Sequence, residues 1–259
     1  MKQTSLAVTI ICLLLYPYQT NAQLTLRDGR DGQTYRTAIF GAAGEWMTEN
    51  LAYEPKGVTY APNTEENTNT PYYYAPNNLS KEAAKAPTYN GSRIGFLYSW
   101  AAAMNLPDGA VTVGEGRQGI CPSGWHLPTD FEWTALETEI ANNPSLYSYS
   151  SGKLTTGYTG NSGASFKSTE VLVEVLLDNY ELTNATSKSS VVSGFNALLV
   201  GGAAQGATNS WGINATFWSS SSGSTAYAYD RYVYYSDSNL YRNTLDNKYS
   251  LSSVRCVRN

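Results

Sequence analysis

The longest apolar run in the chain comes first. Residues 6–15 are nearly continuously apolar, behind Lys2 and ahead of the small-residue segment Thr20-Asn21-Ala22. That pattern reads as a signal peptide over residues 1–22, too short to anchor in a bilayer. Cys12 lies inside the run behind Ile10-Ile11, which does not suit a lipoprotein cleavage site. After it, apolar positions fall in short blocks between turn residues. Residues 24–32 (LTLRDGRDG) end a strand in two Asp-Gly turns, and 35–40 is a second strand. Residues 54–92 are rich in Pro, Asn, Thr and Tyr without a sustained period, a surface excursion pinned by Tyr72-Tyr73-Tyr74 and broken by a short helix at 81–85. Residues 96–104 (FLYSWAAAM) carry helical spacing at Leu97, Trp100, Ala101 and Met104, predicting a buried helix.

The sharpest local signal is Thr129-Asp130-Phe131-Glu132, a capping box opening a helix. Its apolar stripe is Phe131 or Ala135 with Leu136 and Ile140, and Asn142-Asn143-Pro144 ends it. Residues 150–166 read as loops and 170–182 as a buried helix in preference to a strand pair. From residue 195 the chain reads as short strands at 195–200, 216–219, 226–235, 239–243 and 251–257. Two main helices among short, irregular antiparallel strands predict an α+β fold, one domain over residues 23–259.

Composition narrows the function. Of 259 residues only 15% are charged, against roughly 25% in an ordinary soluble domain. Without Lys2 the chain carries 16 basic and 21 acidic side chains, a net charge of about −5. No basic stripe points to nucleic acid, and no later run is long enough for a transmembrane segment. Six Trp and 21 Tyr argue against disorder.

Removing the first 22 residues leaves two cysteines, Cys121 and Cys256. In an exported chain a pair reads most simply as a disulfide, closing a loop of about 135 residues. The competing reading is two thiols on a metal, but with His126 as the sole histidine they do not complete a four-ligand zinc site.

Several blocks, in order, resemble the Fibrobacter succinogenes major paralogous domain. They are residues 28–51 (DGRDGQTYRTAIFGAAGEWMTENL), 70–74 (TPYYY), 96–104 (FLYSWAAAM), 121–128 (CPSGWHLP), 194–198 (GFNAL), 217–221 (FWSSS) and 253–258 (SVRCVR). Residues 170–192 match least. The resemblance implies an exported bacterial protein, secreted or held at the cell surface, with a C-type-lectin-like domain. That fold also carries formylglycine-generating enzymes and hypervariable ligand-binding proteins, so fold alone does not assign function.

Candidate chemistry is sparse. A Ser-His-Asp triad has only His126, in a tight turn where a histidine bonding backbone near a helix start is the simpler reading. Copper chemistry of the formylglycine-generating type needs two free thiols, and a non-haem iron site needs two histidines. No Asp or Glu stands out as a glycosidase pair. Asp28-Gly29-Arg30-Asp31-Gly32 and Asp237-Ser238-Asn239 offer calcium ligands without loop-site spacing, and Leu106-Pro107-Asp108 is only a fragment of a lectin motif. The expectation is no enzyme activity, no cofactor and no metal.

Residues 226–241 (AYAYDRYVYYSDSNLY) carry six tyrosines among short polar groups. The expected ligand surface is Tyr227, Tyr229, Asp230, Arg231, Tyr232, Tyr234, Tyr235, Asp237, Asn239 and Tyr241. Tyr with Ser, Asn, Asp and Arg is the composition of antibody paratopes, and aromatic faces stack on sugar rings. Period-2 alternation nevertheless turns about half of these rings toward a core. The expected function is a non-catalytic module for a glycan or protein partner at the cell surface. The alternatives are a structural or fimbria-associated surface subunit, and a degenerate formylglycine-generating-type enzyme.

Overall fold

The structure, a computed structural model, describes residues 24–62, 70–89, 92–107, 114–143, 194–204, 206–234 and 240–259. The segment read as a signal peptide, the loops and helix expected over 150–166 and 170–182, and Tyr235, Asp237 and Asn239 lie outside these residues.

In chain order the first strands are β1 (Leu24–Arg27), β2 (Thr34–Ile39) and β3 (Glu45–Met47). Then come β4 (Thr59–Tyr60), β5 (Tyr72–Tyr74), helix α1 (Lys81–Lys85), and the small ladder of β6 (Pro87–Tyr89) and β7 (Ser92–Arg93). β8 (Leu97–Ser99) runs straight into α2 (Trp100–Ala103), and β9 (Trp125–His126) precedes α3 (Asp130–Asn142). The C-terminal part supplies β10 (Gly202–Ala204), β11 (Ala207–Asn209), β12 (Asn214–Ser222), β13 (Tyr227–Tyr234), β14 (Leu240–Asn247), β15 (Leu251–Ser253) and β16 (Val257–Arg258). The fold is α+β, as the pattern predicts.

Two sheets carry the architecture. The smaller has the order β1-β2-β3-β16-β9, and the larger β14-β13-β12-β15-β8-β5-β4, with β10 joining β15 and β11 joining β10. The expected strand 251–257 therefore splits. Its first half belongs to the large sheet and its last to the small one, and Val254-Arg255-Cys256 crosses between them. Backbone N–H groups of Met47 and Leu51 donate to the carbonyls of Cys256 and Val254, so the crossing is itself hydrogen-bonded. A disulfide joins Cys121 to Cys256 here, with both residues fully buried.

The helix expected over 96–104 is corrected to a strand followed by one helical turn. Its residues 97–99 pair with β5 on one side and β15 on the other, and Ser99 caps the turn by accepting from the Ala102 N–H. Ladder bonds on both edges outweigh the local helical spacing. The capping box at Thr129 and Glu132 forms as predicted, each side chain accepting from the other's backbone N–H. Its apolar stripe is Trp133, Leu136 and Ile140; Phe131 points to solvent, 80% exposed. Residues 195–200 form no ladder strand, since Asn196 adopts a left-handed φ of 61°.

Three apolar clusters follow from this layout. One, around Tyr35, Met47, Trp100, Trp125, Trp218 and the disulfide, fills the space between the sheets. The second packs α3 through Trp133, Leu136 and Ile140 onto Phe195, Phe217, Val233 and Leu240. The third joins Leu198, Val200 and Ala203 to Leu97 and Leu251.

Candidate functional site

The β12–β13–β14 meander has two faces, and parity along β13 sorts the candidate residues between them. Arg231 and Val233 point to α3. Arg231 Nε donates to Glu137 Oε1 at 2.5 Å, and its Nη atoms donate to Asp130 Oδ1 at 2.7 Å and Thr134 Oγ1 at 3.1 Å. Arg242 grips the same Asp130 carboxylate, and its guanidinium lies 5.0 Å from the Tyr229 ring. Tyr227 begins the strand, 37% exposed.

The even positions point away from α3. Asp230 lies opposite Trp218, Tyr232 opposite Thr216 and Tyr234 opposite Asn214; across the other edge Tyr232 faces Tyr241 and Asp230 faces Asn243. Tyr232 and Tyr241 stack with centroids 4.7 Å apart and planes 7° from parallel. Tyr234 meets both edge-on, at 5.4 and 5.9 Å. All three rings are half-buried, so each presents part of its surface to solvent. Of the ten residues expected to form the surface, the structure thus brings three rings together and sets Tyr227 and Tyr229 on the other face. Asp230 and Arg231 are buried, at 1% and 0% exposure, and Arg231 is taken up by Asp130 and Glu137 of helix α3.

Beside the three rings is a pocket of about 140 Å³, lined by Gly202, Ala204, Asn214, Thr216, Asp246 and Ser250 among others. It lies in the fork where β12 and β15 diverge and β10 fills the gap; Gly201 bridges to Ala215, and Ala203 pairs with Leu251. Gly201 has φ +71°, and a side chain there would collide with the Asn209 carbonyl, so the fork needs glycine. Asn214 Oδ1, Thr216 Oγ1 and Asp230 Oδ1 are buried without hydrogen-bond partners. Burial pushes the Asp246 carboxyl up to about 6. Asp230 is also raised, by burial first and by the negative charge of Asp246 second. Sequence reasoning missed Asn214, Thr216 and Asp246. The trace they leave is the alternation Asn214-Ala215-Thr216-Phe217, polar on the ring face and apolar on the α3 face.

His126 is a structural joint. Its ring bonds side chains rather than backbone: Nε2 lies 2.7 Å from Glu132 Oε1 and Nδ1 2.7 Å from Asn259 Oδ1. Both partners are acceptors, which favours the doubly protonated ring, and the hydrogen bond to Glu132 raises the His126 pKa above 6.5. A raised pKa contributes stability fully below the unfolded value of 6.5 and loses it as pH rises through the folded one. Urea titrations are therefore expected to show stability falling above about pH 6.5. His126→Gln should flatten that part of the profile; an unchanged profile would remove His126 as its source.

A second, more open groove surrounds Tyr53. It combines adjoining cavities of about 420 and 470 Å³ lined by Arg30, Lys56, Lys85 and Arg117 as well as Asp31 and Glu54. Its charges are largely paired: Arg30 forks onto Asp28, and Lys81 and Lys85 both bond Glu54. Among the described residues, no group of three or more His, Cys, Asp or Glu side chains is arranged to hold a metal ion. No helix among them is long and apolar enough to cross a membrane.

Comparison with curated proteins and with solved structures finds no match. Across residues 42–258 the sequence fits the model of one family, taking in β3, the capped helix, the meander and the disulfide, so the chain belongs to the Fibrobacter succinogenes major domain family.

Proposed function

We propose that the chain is an exported, non-catalytic binding module with a C-type-lectin-like fold, and that it recognises a glycan on the face bearing Tyr232, Tyr234 and Tyr241. The observation that carries this reading is the juxtaposition of that aromatic trio with a pocket whose nearby buried oxygens lack donors. Sugar rings offer both complements: C–H faces that stack on aromatic rings, and hydroxyl groups that donate to orphaned acceptors. Tyrosine suits the task because it presents large contact area with little conformational freedom to lose. The non-catalytic part is supported by His126, whose two ring nitrogens are both engaged, and by the disulfide, which occupies both cysteines of the mature chain. Export is supported by the apolar segment ahead of residue 23 and by the same disulfide.

The test is a glycan array followed by calorimetry on the best ligand. Tyr232→Ala with Tyr241→Ala is expected to weaken binding at least about tenfold, the equivalent of about 1.4 kcal/mol. Thermal stability should fall little, because the rings lie outside the three apolar clusters. No binding of any glycan at millimolar concentration, or undiminished binding by the double variant, would refute the proposal.

A further inference from the structure

We infer that the pocket beside the tyrosines takes a primary ammonium group, so that the favoured glycan is one bearing a free amino sugar. This rests on the reading of that face as glycan-binding and goes beyond it in naming the charge of the ligand. Asp230 and Asp246 stand on one face of the meander. Asp230 is on the ring side of β13 opposite Trp218, and Asp246 pairs with Ala228, which is buried with Trp218 in the same cluster. Asp246 lines the pocket. Asp230 is 1% exposed, its Oδ1 has no partner, and across the ladder it sits one pleat from Thr216, whose Oγ1 is also unpartnered and which lines the same pocket. Neither carboxylate belongs to an ion pair among the described residues. Arg231, adjacent in sequence to Asp230, is committed to Glu137 and Asp130 on the opposite face.

Donors do reach the carboxylates, from Ser250 and the Asn247 N–H to Asp246 and from Asn243 to Asp230, but no cation does, and a buried carboxylate without a cation is costly. What the site lacks is positive charge, together with donors for Asp230 Oδ1 and Asn214 Oδ1. An ammonium group supplies both, with three N–H donors on one small centre. The pocket's 140 Å³ is the volume of about five waters at ~30 Å³ each, room for an amine with the carbon that bears it. An N-acetyl group at the same carbon has no charge and a single donor, so it leaves the carboxylates unanswered.

The experiment measures binding of three tetrasaccharides to the full mature chain at pH 7: β-1,4-linked glucosamine, its fully N-acetylated form, and the glucose tetramer. The amine-bearing ligand is expected to bind at least about tenfold more tightly than the other two. Asp246→Asn should bring the amine-bearing ligand down to the level of the other two. The melting temperature of that variant should equal or exceed the wild type's, since a buried carboxylate without a counter-ion is removed. Equal binding of all three by the wild type overturns the ammonium assignment and leaves the glycan reading standing. Binding of none overturns both. A melting temperature raised by calcium chloride alone, and not in Asp246→Asn, assigns the carboxylates to a metal ion and also overturns the inference.

Discussion

Replacing Arg255 with methionine is expected to cost about 3–4 kcal/mol of folding stability, read as a lowered urea midpoint with an unchanged slope. Arg255 is fully buried where the chain passes from β15 to β16. Its guanidinium donates to the carbonyls of Phe195 and Asn196 and to Asn50 Oδ1, and lies 4.4 Å from the Phe195 ring centroid and 5.3 Å from that of Phe217. Methionine fills much of the volume but removes the guanidinium's hydrogen bonds from three acceptors, each loss worth about 1–3 kcal/mol when buried. Against that sum stands the cost of burying the guanidinium, which presses its pKa down to about 9 while leaving it charged at neutral pH. Three lost charge-assisted hydrogen bonds outweigh the one relieved charge, so the net effect is a loss. A loss below about 1 kcal/mol would mean that water reaches these carbonyls. Because Phe195 and Asn196 lead into the pocket wall at Gly202–Ala204, hydrogen exchange across 194–204 should quicken in the variant.

What the sequence revealed about this region follows the range of the interactions involved. The Thr129–Glu132 capping box and the helix at 81–85 rest on contacts within four residues, and they form where expected. The segment 96–104 does not, because its fate is set by β15, more than 150 residues later, and by β5. Its three alanines and Met104 favour a helix only once the strand partners run out. Arg231 carries the same lesson at the candidate site. In a polar, tyrosine-rich stretch it reads as part of a ligand surface, yet Glu137 and Asp130, about a hundred residues away, draw it under α3.

The tyrosines divide along the same line. Alternation separates Tyr227 and Tyr229 from Tyr232 and Tyr234, and that division is legible from spacing alone. Which set packs toward the helix is not, because it depends on where α3 docks. The stacking of Tyr241 on Tyr232 depends on the register of β13 with β14, which spacing within one strand does not fix. Orphaned atoms such as Thr216 Oγ1 have no sequence signature at all, since being unpartnered is a property of three neighbouring strands.

Replacing both Cys121 and Cys256 with alanine is expected to remove up to about 5 kcal/mol, the upper end of what one cross-link contributes. The figure comes from loop length: 135 residues separate the cysteines, and the unlinked chain gains the freedom of that loop when it unfolds. Buried area adds a smaller term, since each alanine leaves a sulfur-sized gap in the inter-sheet cluster that also holds Trp100, Trp125 and Trp218. Domains of this size are commonly stable by only 5–15 kcal/mol, so the double variant should stand near its unfolding threshold at 37 °C. Denaturant titration of wild type, reduced wild type and variant measures the effect. Reduction and substitution should agree to within about 1 kcal/mol, since both release the same loop. A variant as stable as the oxidised protein would mean that the unfolded chain is already held compact between residues 121 and 256, and the entropy account would then fail.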